Sequence, residues 1–242
     1  MTKRSLLICL TLALPLAAQA APMTPAEMHA APLIGKLMID RLETFHTPSA
    51  GNGQSWQASG WYGSQFNRIG FKTEGEREDN QTANADVELF ASHAIAPFWD
   101  ARLGLRHDVD TSDKPARDWA AIGINGIAPY WFELDASLYL GNDARSGLKL
   151  EASYELRITQ RLIMQPSVEA SAWGKEDETR GLGKGLASID AGLRLRYEIK
   201  RQFAPYLGVS RGWLFDDTKA MAAARGENSS GTRWLAGIRF WF

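Results

Sequence analysis

Met23, Met28, His29 and Met38 are the residues whose chemistry is easiest to name. Thioethers beside an imidazole form a soft-ligand set, and in an oxidising compartment that set suits copper. Three of the four fall in "APMTPAEMHAAP", a Pro- and Ala-rich stretch with nothing to build a core, so residues 21–32 read as a mobile tail. A second candidate is His107, with Ser112 five residues on; a serine and a histidine together are the minimum for acyl transfer. The other histidines are His29, His46 and His93. "GLGKG" at Gly181 to Gly185 has the glycines of a phosphate cradle but lacks Ser or Thr after the lysine, and it reads as a flexible loop.

What must position these groups is read from the rest of the chain. "MTKRSLLICLTLALPLAAQA" has Lys3 and Arg4 ahead of an apolar run and closes on Ala18-Gln19-Ala20. Residues 1–20 are therefore expected to be a cleaved signal peptide, too short in the apolar part to span a bilayer. Cys9, the single cysteine, lies inside it, which leaves no disulfide, thiolate metal site or cysteine nucleophile in the mature chain. The formal net charge of −1 offers no basic field for nucleic acid. About 220 residues remain, enough for one large β domain.

The apolar residues then settle the element type. In "SIDAGLRLRYEI", Ile189, Ala191, Leu193, Leu195, Tyr197 and Ile199 alternate with Asp190, Gly192, Arg194, Arg196 and Glu198. A period of two is a strand. "LKLEASYELRI" and "FELDASLYL" repeat it, and "WDARLGLRHD" does so more mildly. Segments of about 10 residues suit a tilted bilayer crossing better than a soluble sandwich, whose strands are nearer 5 or 6. Tight connections such as "IAP", "ITQ" and "KRQ" fall between longer polar ones such as "WGKEDETRGLGKG" and "FDDTKAMAAARGENSSG". These features predict a transmembrane antiparallel β-barrel of the bacterial outer membrane over residues 33–242. Twelve crossings are expected, or ten if the first two are discarded, with the tight turns facing the periplasm. The closing "IRFWF" would then put Phe240 and Phe242 in an aromatic girdle against lipid.

Inside such a barrel, the alternation predicts charges of both signs. They are Arg68, Lys72, Glu74, Glu76, Asp86, Glu88, Asp100, Arg102, Arg106, Glu133, Asp135, Glu151, Glu155, Arg157, Glu169, Asp190, Arg194, Arg196 and Arg239. Buried charges must pair or meet water, so much of the set is expected to form ion pairs; an excess of carboxylates would also attract cations.

Several long stretches resemble the copper resistance protein B family: "DRLE" at Asp40 to Glu43, "NRIGFKTEGE" at Asn67 to Glu76, and "IAPFWDARLGLRHD" at Ile95 to Asp108. "GIAPYWFELDASLYLG", "YELRITQRLIMQP", "GLRLRYEIKRQFAPYLGV" and the closing "IRFWF" continue the likeness across nearly the whole mature chain. The resemblance implies an outer-membrane barrel that binds copper and helps export or sequester it. Copper would be bound cargo and not a catalytic cofactor, and the chain would not be an enzyme. Its implied partners are outer-membrane lipid and a periplasmic multicopper oxidase or copper carrier. Family members often carry a long Met- and His-rich region before the barrel, whereas this chain keeps only Met23, Met28 and His29, with Met38 just inside the first strand. A general small-solute pore with a charged lumen is the alternative reading.

Overall fold

The strict period of two produces strands throughout. They are β1 (Ile34–Thr47), β2 (Gly51–Gly63), β3 (Asn67–Glu78), β4 (Gln81–Ala96), β5 (Trp99–Asp108), β6 (Arg117–Ala128) and β7 (Phe132–Gly141). There follow β8 (Ser146–Ser153), β9 (Leu156–Arg157), β10 (Leu162–Trp173), β11 (Gly185–Tyr197), β12 (Phe203–Leu214), the helix α1 (Asp216–Ala224) and β13 (Ser230–Trp241). The structure is a computed structural model that describes residues 32–48, 51–78, 81–109, 111 and 115–242. The expected signal peptide, Met23, Met28, His29 and Ser112 lie outside the described residues.

Each strand pairs antiparallel with the next, save that β8 passes over β9 to β10, and β1 returns to β13, so the sheet closes on itself. β8 and β9 both pair with β10 and form one crossing interrupted at Tyr154 and Glu155, which makes twelve crossings. The first two strands, the ones most open to doubt by sequence, are fully paired, from Ile34 opposite Gly63 to Thr47 opposite Gly51. Closure leaves no edge, the condition for a sheet to survive in hydrocarbon.

The chain end explains its aromatics. Phe242 donates its backbone N–H to the Leu37 carbonyl at 2.8 Å and accepts from the Leu37 N–H at 3.1 Å. Phe240 and Phe242 meet edge to face at 5.7 Å, and the Trp241 indole donates to the Arg201 carbonyl at 2.9 Å. Outward residues are large and bare: Leu89, Leu103, Leu105, Leu207 and Trp234 are all more than half exposed. In water this surface would be a severe aggregation hazard; in a bilayer it is the solvated face.

Two local expectations are corrected. The connections do not alternate cleanly in length: 48–50, 79–80 and 142–145 are as short as the turns at the opposite end, and only 109–116, 174–184 and 215–229 are long. The longest of these is not irregular, because it holds α1, whose first turn carries Asp216 and Asp217 against the helix dipole. Nor is "GLGKG" a free loop. The Gly183 N–H donates to the Thr218 hydroxyl of α1 at 2.9 Å, and a Cβ on Gly183 would lie 2.2 Å from the Thr218 nitrogen. Gly183 thus permits close packing of the loop backbone against α1.

Candidate functional site: the charged lumen

A cavity of about 880 Å³ runs inside the barrel and is lined by residues from every strand except β9. At the short-turn end its wall includes Met38, Asp40, Arg68, Asp100 and Arg239. Arg68 pairs with Asp100 at 2.9 Å, and Arg239 bridges Asp40 at 3.4 Å and Glu155 at 3.0 Å. Glu155 also takes Arg196 at 2.6 Å. Met38 is the one proposed metal residue within the described chain: it faces the lumen, and its Sδ receives Arg239 Nη2 at 3.6 Å.

At mid-depth the bonds cross the lumen. Lys149 Nζ touches Glu74, Glu151 at 3.2 Å and Glu169 at 3.1 Å, while Lys72 reaches Glu151 at 3.1 Å. Glu43 accepts from Arg194 at 2.9 and 3.2 Å, from the Tyr206 hydroxyl at 3.0 Å and from Ser55 at 3.2 Å. Nearer the long-loop end, Arg106 joins Asp86 at 3.0 Å to Asp108 at 2.8 Å, and the Trp119 indole donates to Asp108 at 3.0 Å. The predicted inward charges are therefore largely an ion-pair lattice, as buried charge requires.

Arg41 and Glu43 were not among the predicted inward charges, nor were Lys36 and Asp40, because no alternation was read in the first strand, where the local backbone is irregular. Both ladders of β1 slip register between Ile39 and Leu42, a bulge that puts an extra residue into the strand. Before it Lys36, Met38 and Asp40 face the lumen; after it Arg41, Glu43 and Phe45 do. A bulge reverses the alternation, so a period-two reading carried through it assigns the wrong face. Lys149 had no such obstacle, since it sits on the polar face of an alternating strand.

The described histidines stay outside the lumen. His46, His93 and His107 are exposed and outward, with Nδ1 within 2.8 Å of Asn52, 2.7 Å of Asn67 and 2.6 Å of Asp118. Among the described residues, no group of three or more His, Cys, Asp or Glu is placed to hold a metal ion.

Beyond the strand ends, Asp177 clasps the long loops. It accepts from Arg117 at 3.0 and 3.2 Å and from Thr179 at 2.5 Å, with Arg145 at 3.7 Å, while Arg180 reaches down to Asp108 at 3.5 Å. Burial opposes ionisation of Asp177, but the Thr179 and Arg117 bonds and the Arg145 charge outweigh it and hold the carboxyl below its usual range. A depressed carboxyl stabilises the folded loop above the ordinary aspartate pKa and ceases to do so as pH falls through its own value. Protease nicking of 174–184 is therefore expected to be slow at pH 7 and to rise only in strong acid. Asp177→Asn should bring fast nicking to neutral pH, and equal rates for the two proteins would contradict the clasp.

A closed twelve-crossing sheet with a bare apolar exterior and a charged interior defines an outer-membrane β-barrel. Solved barrels of that class share the fold: the NanC porin (TM-score 0.54, 11% identity, 84% of this chain and 98% of that one) and the Salmonella typhi outer membrane phospholipase (TM-score 0.51, 13% identity, 84% and 90%). At such identities they speak to architecture alone. The profile of "Copper resistance protein B precursor (CopB)" matches residues 33–242. Copper resistance protein B of Escherichia coli is 41% identical over 206 residues, covering 85% of this chain and 69% of that one. The homolog from Pseudomonas syringae pv. tomato is 35% identical over 218 residues, covering 89% and 72%. The chain belongs to the copper resistance protein B family.

Proposed function

We propose that this barrel serves copper resistance by binding copper and helping to export or sequester it at the outer membrane. Membership of the copper resistance protein B family is the observation that carries the reading. Copper is cargo in this account and not a cofactor, and no bond-making chemistry is assigned to the chain. His107 has Asp118 beside it, and Ser112, the nucleophile paired with it by sequence, lies outside the described residues. Met23, Met28 and His29 form the external capture set, in a periplasmic tail over 21–32 that follows a signal peptide over 1–20. Met38, facing the lumen at the short-turn end, is the next thioether along the chain. That end faces the periplasm, where a multicopper oxidase or copper carrier is the proposed partner. The ion pairs that cross the lumen count against a general solute pore.

Two measurements test this. A strain lacking the protein should grow less well as copper rises, and unchanged growth across the series would remove the copper role. Purified barrel lacking 21–32 and carrying Met38→Leu should bind Cu(I) about tenfold more weakly than the full chain, the scale on which a metal site responds to losing its supports. Equal binding would remove the ligand assignment and leave the family role in place.

A further inference from the structure

Strand register arranges the lumen carboxylates in rows. Asp135 of β7 lies opposite Glu151 of β8, Glu151 opposite Glu169 of β10, and Glu169 opposite Asp190 of β11. All four line the cavity, so four successive crossings put acid beside acid along one wall. On the other wall Glu74 of β3 lies opposite Asp86 of β4, and Asp86 opposite Asp108 of β5. Directly opposed residues bring their Cβ atoms to about 5 Å, where like charges repel. Cations set between them relieve that repulsion.

Arg106 of β5 stands between Asp86 and Asp108, Arg102 of β5 meets Asp135, and Arg41 of β1 lies 3.8 Å from Glu169; for the remaining acids the cations reach across the lumen. The Lys149 ammonium lies between the two rows, against Glu74 on one side and Glu151 and Glu169 on the other. Lys72, from β3, crosses to Glu151 of β8. In the closed order β3 and β8 are separated by β4, β5, β6 and β7 on the shorter path, nearly half the ring, so these contacts span the bore. The two lysines thus do two things at once: they neutralise Glu74, Glu151 and Glu169 and they block the passage. Among the described residues, Asp190 has no ion-pair partner and is exposed to the lumen, an open place at the end of its row.

We propose that the lumen is a gated path for divalent cations, in which the two acidic rows select the ion and Lys72 and Lys149 close the bore as tethered counter-ions. A divalent ion entering the rows takes the place of both ammonium groups among the same carboxylates, two charges for two, and the local charge stays balanced while Lys72 and Lys149 swing aside. No covalent step is involved. The inference goes beyond the copper reading and does not depend on it, since rows of carboxylates recognise hard divalent ions generally.

Planar-bilayer currents of the full barrel test it, first in KCl and then across a CaCl2 gradient. The parent protein should pass small, rare currents. Lys72→Met with Lys149→Met should raise the conductance by roughly tenfold, the factor that accompanies about 1.4 kcal/mol of lost bridge energy. Its reversal potential should move toward that of calcium, and adding Glu151→Gln and Glu169→Gln should abolish that shift while the current persists. Heat-modifiable gel mobility reports whether each variant is folded; where the double variant is not, Lys72→Met alone carries the test through a smaller rise. A parent current as large as the variant's, a folded variant that conducts like the parent, or an open variant preferring anions would each overturn the proposal. None of these readouts contains copper, so they fail or succeed separately from the resistance assay.

Discussion

Replacing Glu43 by alanine should cost the folded barrel about 3–5 kcal/mol, the penalty for leaving a buried cation without its partner. The Glu43 carboxylate is almost wholly buried and is the meeting point of three strands besides its own: Arg194 from β11, Tyr206 from β12 and Ser55 from β2. Removing it leaves the Arg194 guanidinium with the Ser167 hydroxyl at 3.3 Å and no neutralising group in hydrogen-bond contact. Those strands flank the seam where β1 meets β13, so the loss falls where the cylinder is closed. Urea unfolding from lipid vesicles, followed by tryptophan fluorescence, would show the midpoint falling sharply. Glu43→Gln keeps one acceptor and should fall less. A change of under about 0.5 kcal/mol for alanine, the size typical of an uninvolved surface position, would show that the lattice bears no load at this point.

The second large effect is expected on the outside. Leu89, in the middle of β4, is 62% exposed and flanked by Phe71 and Leu105 on neighbouring strands. On a soluble protein an exposed leucine accepts arginine at little cost, within about 0.5 kcal/mol. Near the midplane of a bilayer the same change should cost about 2–4 kcal/mol, because the guanidinium must be dragged from water into hydrocarbon. Tyr130 is still more exposed, at 83%, but it sits at a turn tip beyond the strands, where Tyr130→Arg should be nearly neutral. If the two substitutions proved equally harmless in vesicles, hydrocarbon would not be the solvent of the β4 surface.

Much of the architecture was readable in advance because a barrel in lipid makes each residue choose between two solvents. Strands from β5 onward show it best: Leu103 and Leu105 against Arg102 and Arg106, or Leu193 and Leu195 against Arg194 and Arg196, alternate without a break. The even number of crossings followed from the same pattern. α1 was not foreseen because "DDTKAMAAA" has scarcely any apolar periodicity; its buried Thr218 and Ala222 become meaningful only once Gly183 and the end of β10–β11 loop are brought against them. The copper ligands are a different case. Of the four proposed, only Met38 lies in the described chain, and its thioether meets an arginine, Arg239.

By itself the sequence determined that the chain is a closed β-cylinder in lipid, most of the residues past β1 that face inward, though not Arg157, which is exposed and lies off the lumen wall, and the family to which it belongs. Each of those follows from local alternation or from contiguous motifs, which one strand carries without help. Which charges meet was decided only by the tertiary structure. Lys149 reaches Glu74 because shear and closure bring β8 to face β3, 75 residues earlier in the chain, and Arg194 reaches Glu43 over a separation of 151. The bulge in β1 set which acid that would be. Alternation names a face; only the register of all twelve crossings names a partner.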